Sequence, residues 1–115
     1  PITQNRFLMK LYKQYLKERC QQELYCVPHG FLTYEMVDAH TLYIADIYIE
    51  PEYRRTGLAT VMADTIVKQT GAKLVLGTID PNVPSAHDSL LVLLAYGMVL
   101  DGYDHNLLRL KKDVK

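Results

Sequence analysis

The chain has 115 residues, 49% hydrophobic and 23% charged, with 13 Lys plus Arg set against 13 Asp plus Glu. That length holds one domain, residues 1–115, with a real core and is too short for two. Zero net charge argues against bulk nucleic-acid binding, and the absence of a spanning apolar run or charged-then-apolar leader argues against a membrane role.

Residues 3–22 carry Phe7, Leu8, Leu11, Tyr12, Tyr15 and Leu16 at helical spacing, with Thr3 as N-cap and Lys10, Lys13, Lys17 and Arg19 on a solvated side. Cys20 and Cys26 make neither a CxxC motif nor a disulfide framework, so two reduced thiols and no metal site are expected; a Cys20–Cys26 bridge is the alternative. Residues 23–27 are short and extended up to Pro28, and His29-Gly30 is a turn. Residues 31–37 are a strand, and Asp38-Ala39-His40 connects it tightly to the next, 41–49. Strict alternation along that strand puts Tyr43, Ala45, Ile47 and Ile49 on one face, and Ile44, Asp46, Tyr48 and Glu50 on the other.

The second half mixes helices and strands. Residues 58–70 form a helix with Leu58, Val61, Met62, Thr65 and Ile66 inward, ended by Gly71. Residues 73–79 are a continuous apolar run that suits a strand covered on both faces and parallel to its predecessor. Two prolines make 80–84 a loop, after which Ser85 caps an apolar helix running to Tyr96 and Gly97. Two last strands, 98–100 and 106–110, are joined through the turn at 101–105. This order predicts a mixed α/β domain built as one sheet with helices against its faces.

The stretch IYIEPEYRRTGLAT at 47–60 is the centre of the pattern. A strand feeding a glycine-containing turn that opens a helix leaves backbone N–H groups unpaired at the positive end of the helix dipole. Arg54 and Arg55 beside them complete an anion site suited to the phosphates of a cofactor.

In that setting Arg54, Arg55, Thr56, Gly57, Leu58 and Ala59 resemble the cofactor motif of the GNAT superfamily of acyl-CoA N-acyltransferases. Tyr96-Gly97-Met98 is similar to the Gly-Phe pair that ends the family's last helix, and the likeness covers residues 30–111. The resemblance implies a GNAT-like sheet with antiparallel N-terminal strands, a splayed parallel pair and a C-terminal hairpin, with helices on both faces. It implies acetyl-CoA as cofactor. Arg54, Arg55, Thr56, Gly57, Leu58, Ala59 and Thr60 would hold the pyrophosphate, the strand backbone at Ile47, Tyr48 and Ile49 would meet the pantetheine, and a backbone N–H around Tyr48 to Glu50 would steady the thioester oxygen.

The implied activity is acetyl transfer from acetyl-CoA to a primary amine of a small molecule or protein, and the two reduced thiols suit a cytoplasmic protein. Asp46 and Glu50 are candidates for the base, partly desolvated in an apolar strand, against plain structural roles for each. The family's usual acid tyrosine falls on Leu93. Tyr96 is the nearest substitute, though a core role suits it better; Asn82 is displaced from the helix start, where Ala86 stands, and His87 reads as a cap or surface residue. The family opens with a strand and two helices, whereas one helix opens this chain. The acceptor wall is then either open to a macromolecular substrate or completed by a second copy in a homodimer. The alternative function is a catalytically silent GNAT-like module that binds coenzyme A or a protein partner.

Overall fold

Six strands build the sheet, seen here in a computed structural model that describes residues 2–114. The side chains of residues 2–7 lie outside the described residues, so the roles expected of Thr3 and Phe7 fall outside them too. β1 (Glu23–Val27), β2 (Gly30–Met36) and β3 (Thr41–Ile49) form an antiparallel meander, and β4 (Leu74–Ile79) runs parallel to β3. β5 (Val99–Asp104) and β6 (Leu107–Asp113) complete the order β1-β2-β3-β4-β6-β5. Asp38 shapes the β2–β3 turn by accepting from the His40 N–H at 2.8 Å and the Thr41 hydroxyl at 3.0 Å. Those bonds, the backbone one foremost, hold its carboxyl below the usual range.

Helices α2 (Leu58–Thr70) and α3 (Ala86–Tyr96) connect β3 to β4 and β4 to β5. Both crossovers step the same way across the sheet, so right-handed connection puts both helices on one face. Their core residues pack with Leu32, Leu42, Ile44, Val75 and Leu110 in a single cluster. The buried stripe of α2 is Met62, Ala63, Ile66 and Val67, while Val61 is exposed, contrary to expectation. Apolar side chains spread around more than half of that helix, so packing on the sheet, not periodicity, selects the inward edge. In α3 likewise only Leu93 and Tyr96 are buried, with Leu91 and Leu94 exposed. Ser85 stands at its N-cap without a side-chain bond.

β4 alternates between buried and half-buried residues, so only its helix-facing side is fully covered, not both faces as its apolar run suggests. Across the sheet lie the register partners Leu24 and Thr33, both buried. Leu16, in a π-helical turn (Leu16–Cys20) that packs on β1, is buried too. α1 (Ile2–Tyr15) leads into that turn, which Gln21 ends in the left-handed conformation. Helices thus lie on both faces, but unequally. The stripe Leu8, Leu11, Tyr12 and Tyr15, expected in the core, is exposed. Cys20 and Cys26 are free thiols. Among the described residues no helix is long and apolar enough to cross a membrane.

Two corrections concern register. On β3, Asp46 faces Thr33 while Ile44 faces Tyr34, leaving Ala45 as an extra, bulged residue. A bulge breaks the two-residue alternation. Leu42 and Ile44 enter the core before it, Ile47 and Ile49 pack there after it, and Asp46, Tyr48 and Glu50 point out on the opposite face. Ile44 therefore does not share a face with the carboxylates. At the C-terminus the strands extend to Asp104 and Leu107, with the turn at His105-Asn106 alone. Both have positive φ, 52° and 64°, as a two-residue hairpin matched to strand twist requires.

Tyr96 is a core residue. Lys112 donates to its carbonyl at 2.8 Å and lies 3.7 Å over its ring. Burial pushes its phenol up to about 12, and the Asp64 carboxylate adds to the rise. The two groups do not meet in hydrogen-bonding geometry, and among the described residues the hydroxyl has no partner.

Ile66→Ala, at a site with 0% exposure, is expected to cost about 2–5 kcal/mol in urea unfolding, whereas Leu11→Ser, half exposed, stays within about 0.5 kcal/mol. Because the Tyr96 phenol titrates higher in the folded state, its contribution is complete below the ordinary value of 10.0 and is lost as pH rises toward about 12. Tyr96→Phe should abolish that alkaline loss, and should stabilise the fold by about 1 kcal/mol at neutral pH by removing an unpartnered hydroxyl.

Candidate cofactor site

β3 and β4 pair from Thr41 and Leu74 only as far as Ile44 and Gly77, although they continue to Ile49 and Ile79. Pairing lapses at the Ala45 bulge, whose extra residue bends and twists β3 away. The result is a gap between two parallel strands, closed at Gly77 and open toward α2. The Glu50 N–H donates to the His29 carbonyl at 2.8 Å, so alternate residues of β3 face β2. Ile47 and Ile49 accordingly aim their backbone groups away from β2, into the gap, whereas Tyr48 and Glu50, expected to offer an N–H to the thioester, turn theirs to β2. The side chain of Arg54 donates from Nε to the Ile49 carbonyl at 2.9 Å. Among the described residues no β3 residue beyond Ile44 pairs with β4, so the Ile47 backbone and the Ile49 N–H face the gap without a ladder partner.

At the mouth of the gap the chain turns sharply. Pro51–Tyr53 is a 3-10 turn, and the Thr56 hydroxyl donates to the Tyr53 carbonyl at 2.7 Å. Arg55 and Gly57 have φ of 64° and 84°. Left-handed backbone at such positions curls successive N–H groups toward one side, which makes an anion-binding concavity. The first bond of α2 runs from the Val61 N–H to the Gly57 carbonyl at 3.1 Å. The N–H groups of residues 55–60 have no hydrogen-bond partner among the described residues, and no side chain caps the helix. A Cβ at Gly57 would meet nothing within 4 Å, so glycine serves the positive φ there and leaves the approach open.

The two arginines differ in role. Arg54 is tied to Ile49 and lies 5.7 Å from the Tyr48 ring, so it fastens the turn to the strand end. Arg55 is exposed, beside the helix N-terminus, and makes no ion pair among the described residues. This arrangement suits a phosphate group joined to a linear, amide-bearing arm. The phosphate would sit on the N–H groups and Arg55, and the arm would follow the unpaired edge at Ile47.

The candidate catalytic residues separate. Asp46 is exposed beside the gap and accepts from the Thr33 hydroxyl at 3.2 Å. Glu50 is exposed at the strand end, 3.2 Å from Nδ1 of His29, whose ring stacks on Tyr53 at 3.6 Å. Neither carboxylate is desolvated as expected, because the bulge turns both out of the core. Tyr96 is remote: Lys112, which holds it, pairs with Val75 near the start of β4, away from the gap. Leu93 Cδ1 stands 3.3 Å from a Cβ built at Gly77, so the gap's closed end is lined from α3 by methyl groups. Sequence reasoning missed a hydroxyl pair on the other face, where the Tyr43 phenol lies 2.7 Å from the Thr78 hydroxyl. Both residues lie on strands recognised as parallel, but their meeting depends on register.

The model of the acetyltransferase (GNAT) family matches residues 26–87, over half of the chain and including the whole turn. No curated sequence matches the chain. Among solved structures it is similar to the PaiA N-acetyltransferase of Thermoplasma acidophilum in complex with coenzyme A. That match has a TM-score of 0.61 and 15% identity, over 73% of this chain and 52% of the other. A GNAT family acetyltransferase from Elizabethkingia anophelis with acetyl-CoA bound gives 0.63 and 17%, over 91% and 82%. A Bacillus subtilis acetyltransferase in complex with CoA gives 0.62 and 14%, over 90% and 84%. The chain spans about half the length of the first of these structures. At such identities the likeness is one of fold, and together with the family match it leads to one conclusion: the chain belongs to the GNAT acetyltransferase family.

Proposed function

We propose that the chain is an N-acetyltransferase that uses acetyl-CoA to acetylate a primary amine of a small molecule or protein. The observation that carries this reading is the row of unpartnered N–H groups at residues 55–60, set at the mouth of the gap between β3 and β4. Backbone donors at a helix N-terminus hold pyrophosphate, and Arg55 adds charge. When bound there, the cofactor supplies an activated acetyl group as a thioester. The Ile47 N–H, unpaired and aimed into the gap, steadies negative charge that develops on the acetyl oxygen. Asp46, on the solvent-facing side of the same wall, takes the proton of the incoming amine. Glu50 is the second candidate, with His29 orienting its carboxylate.

A second reading, a silent module that binds coenzyme A without turning it over, is favoured by one observation. The family's usual acid position is Leu93, packed against Gly77.

Calorimetry with acetyl-CoA should give binding for the unaltered chain and a loss of at least about tenfold for Gly57→Glu, since a bulky anion at φ 84° obstructs the cradle. Absence of heat with the unaltered chain would sink the proposal. Asp46→Asn should leave binding intact and slow thiol release across a panel of amines by about 100-fold or more. Turnover of that variant at the normal rate would remove Asp46 from its role. Tight binding with no thiol release from any amine would favour the silent module.

A further inference from the structure

Against Gly77, at the closed end of the gap, stand Leu93 and Met98 on the α3 side, whereas the other face carries a hydroxyl pair. Tyr43 pairs in register with Leu76, yet its phenol reaches Thr78, two residues further on and past the last paired position at Gly77. One hydroxyl from each wall therefore meets where the backbone ladder has just ended, at 2.7 Å and half-buried. Tyr43 and Thr78 stand on the face opposite Leu93. Asp46 shares that face, three residues along β3, with the bulged Ala45 between. In such a pair one hydroxyl donates to the other, and the second proton is free to point into the gap.

We propose that Tyr43, held in place by Thr78, is the general acid of this enzyme and substitutes for the hydroxyl absent at Leu93. The proposal rests on the acetyltransferase reading of the site. As the bond from the acetyl carbon to the amine nitrogen forms, Asp46 accepts the amine proton. As the carbon–sulfur bond breaks, its electron pair goes to sulfur and Tyr43 gives sulfur its phenolic proton. Exchange with solvent returns a proton to Tyr43 and removes one from Asp46, so thioester and amine become amide and thiol with nothing left over. Tyr43 is the catalytic residue, and Thr78 is a positioning residue.

A phenol that donates to the sulfur would also favour the thiolate when free coenzyme A is bound, which gives a readout independent of turnover. The ultraviolet absorbance of the thiolate is followed against pH for the chain saturated with coenzyme A, relative to the coenzyme-free protein. In Tyr43→Phe, which keeps the ring, the thiolate should appear about one pH unit higher than in the unaltered chain, with affinity for coenzyme A little changed. Thr78→Val, which leaves the phenol present but unheld, should shift it the same way by less. Thiol release from acetyl-CoA should fall about tenfold or more in Tyr43→Phe. Identical titrations for all three proteins, with binding intact, overturn the role of Tyr43 and leave the acetyltransferase reading standing. Failure of the unaltered chain to bind coenzyme A overturns both.

Discussion

Everything distinctive about the site depends on the single extra residue at Ala45. Without it, β3 would keep its ladder with β4 beyond Ile44, and the gap would be a continuous parallel sheet. With it, β3 twists away and leaves the Ile47 backbone without a strand partner. The same slip rotates the strand so that Ile47 and Ile49 remain in the core while Asp46 and Tyr48 face out. Unpaired backbone in a sheet is costly unless water or a ligand satisfies it, so the bulge creates a demand that an amide-bearing arm meets.

The turn that follows is built to keep its own donors free. Its internal bonds use carbonyls and side chains, at Glu50, Pro51 and Tyr53, and leave the N–H groups of residues 55–60 outward. Positive φ at Arg55, unusual for a side chain of its size, is retained where the backbone is curled around an approach route. Arg54 is spent on the strand end. Its bond to Ile49 fixes the turn relative to the gap, so the phosphate cradle and the thioester end are set at a constant spacing.

Much of this was legible in the chain, for identifiable reasons. The strand–turn–helix at 47–60 combined Pro51, two arginines and Gly57 in a local pattern, and local patterns survive tertiary context. Gly71 and Gly97 ended their helices in the left-handed conformation as their positions suggested. The failures were non-local. Ala45 carries no mark of a bulge, which arises from how β2 and β4 compete for β3, so strict alternation misassigned Ile44. The apolar stripe of α1 reads as core because amphipathicity does not say whether a surface is there to receive it. Val61 and Leu94 sit on helices whose apolar side chains spread over more than half of the surface, where only packing chooses the inward edge. The Tyr43–Thr78 bond requires the register of two strands separated by a whole crossover.

The central claim is that the free backbone donors at residues 55–60 and at Ile47 are the cofactor's binding surface. It is tested most directly by amide resonances of the isotope-labelled chain during titration with coenzyme A. The account predicts that the amides of residues 55–60 and of Ile47 shift most and gain protection from hydrogen exchange, while those of α1 stay unchanged. Shifts confined to α1 or to the β5–β6 hairpin, with the turn at 55–60 unaffected, would contradict it.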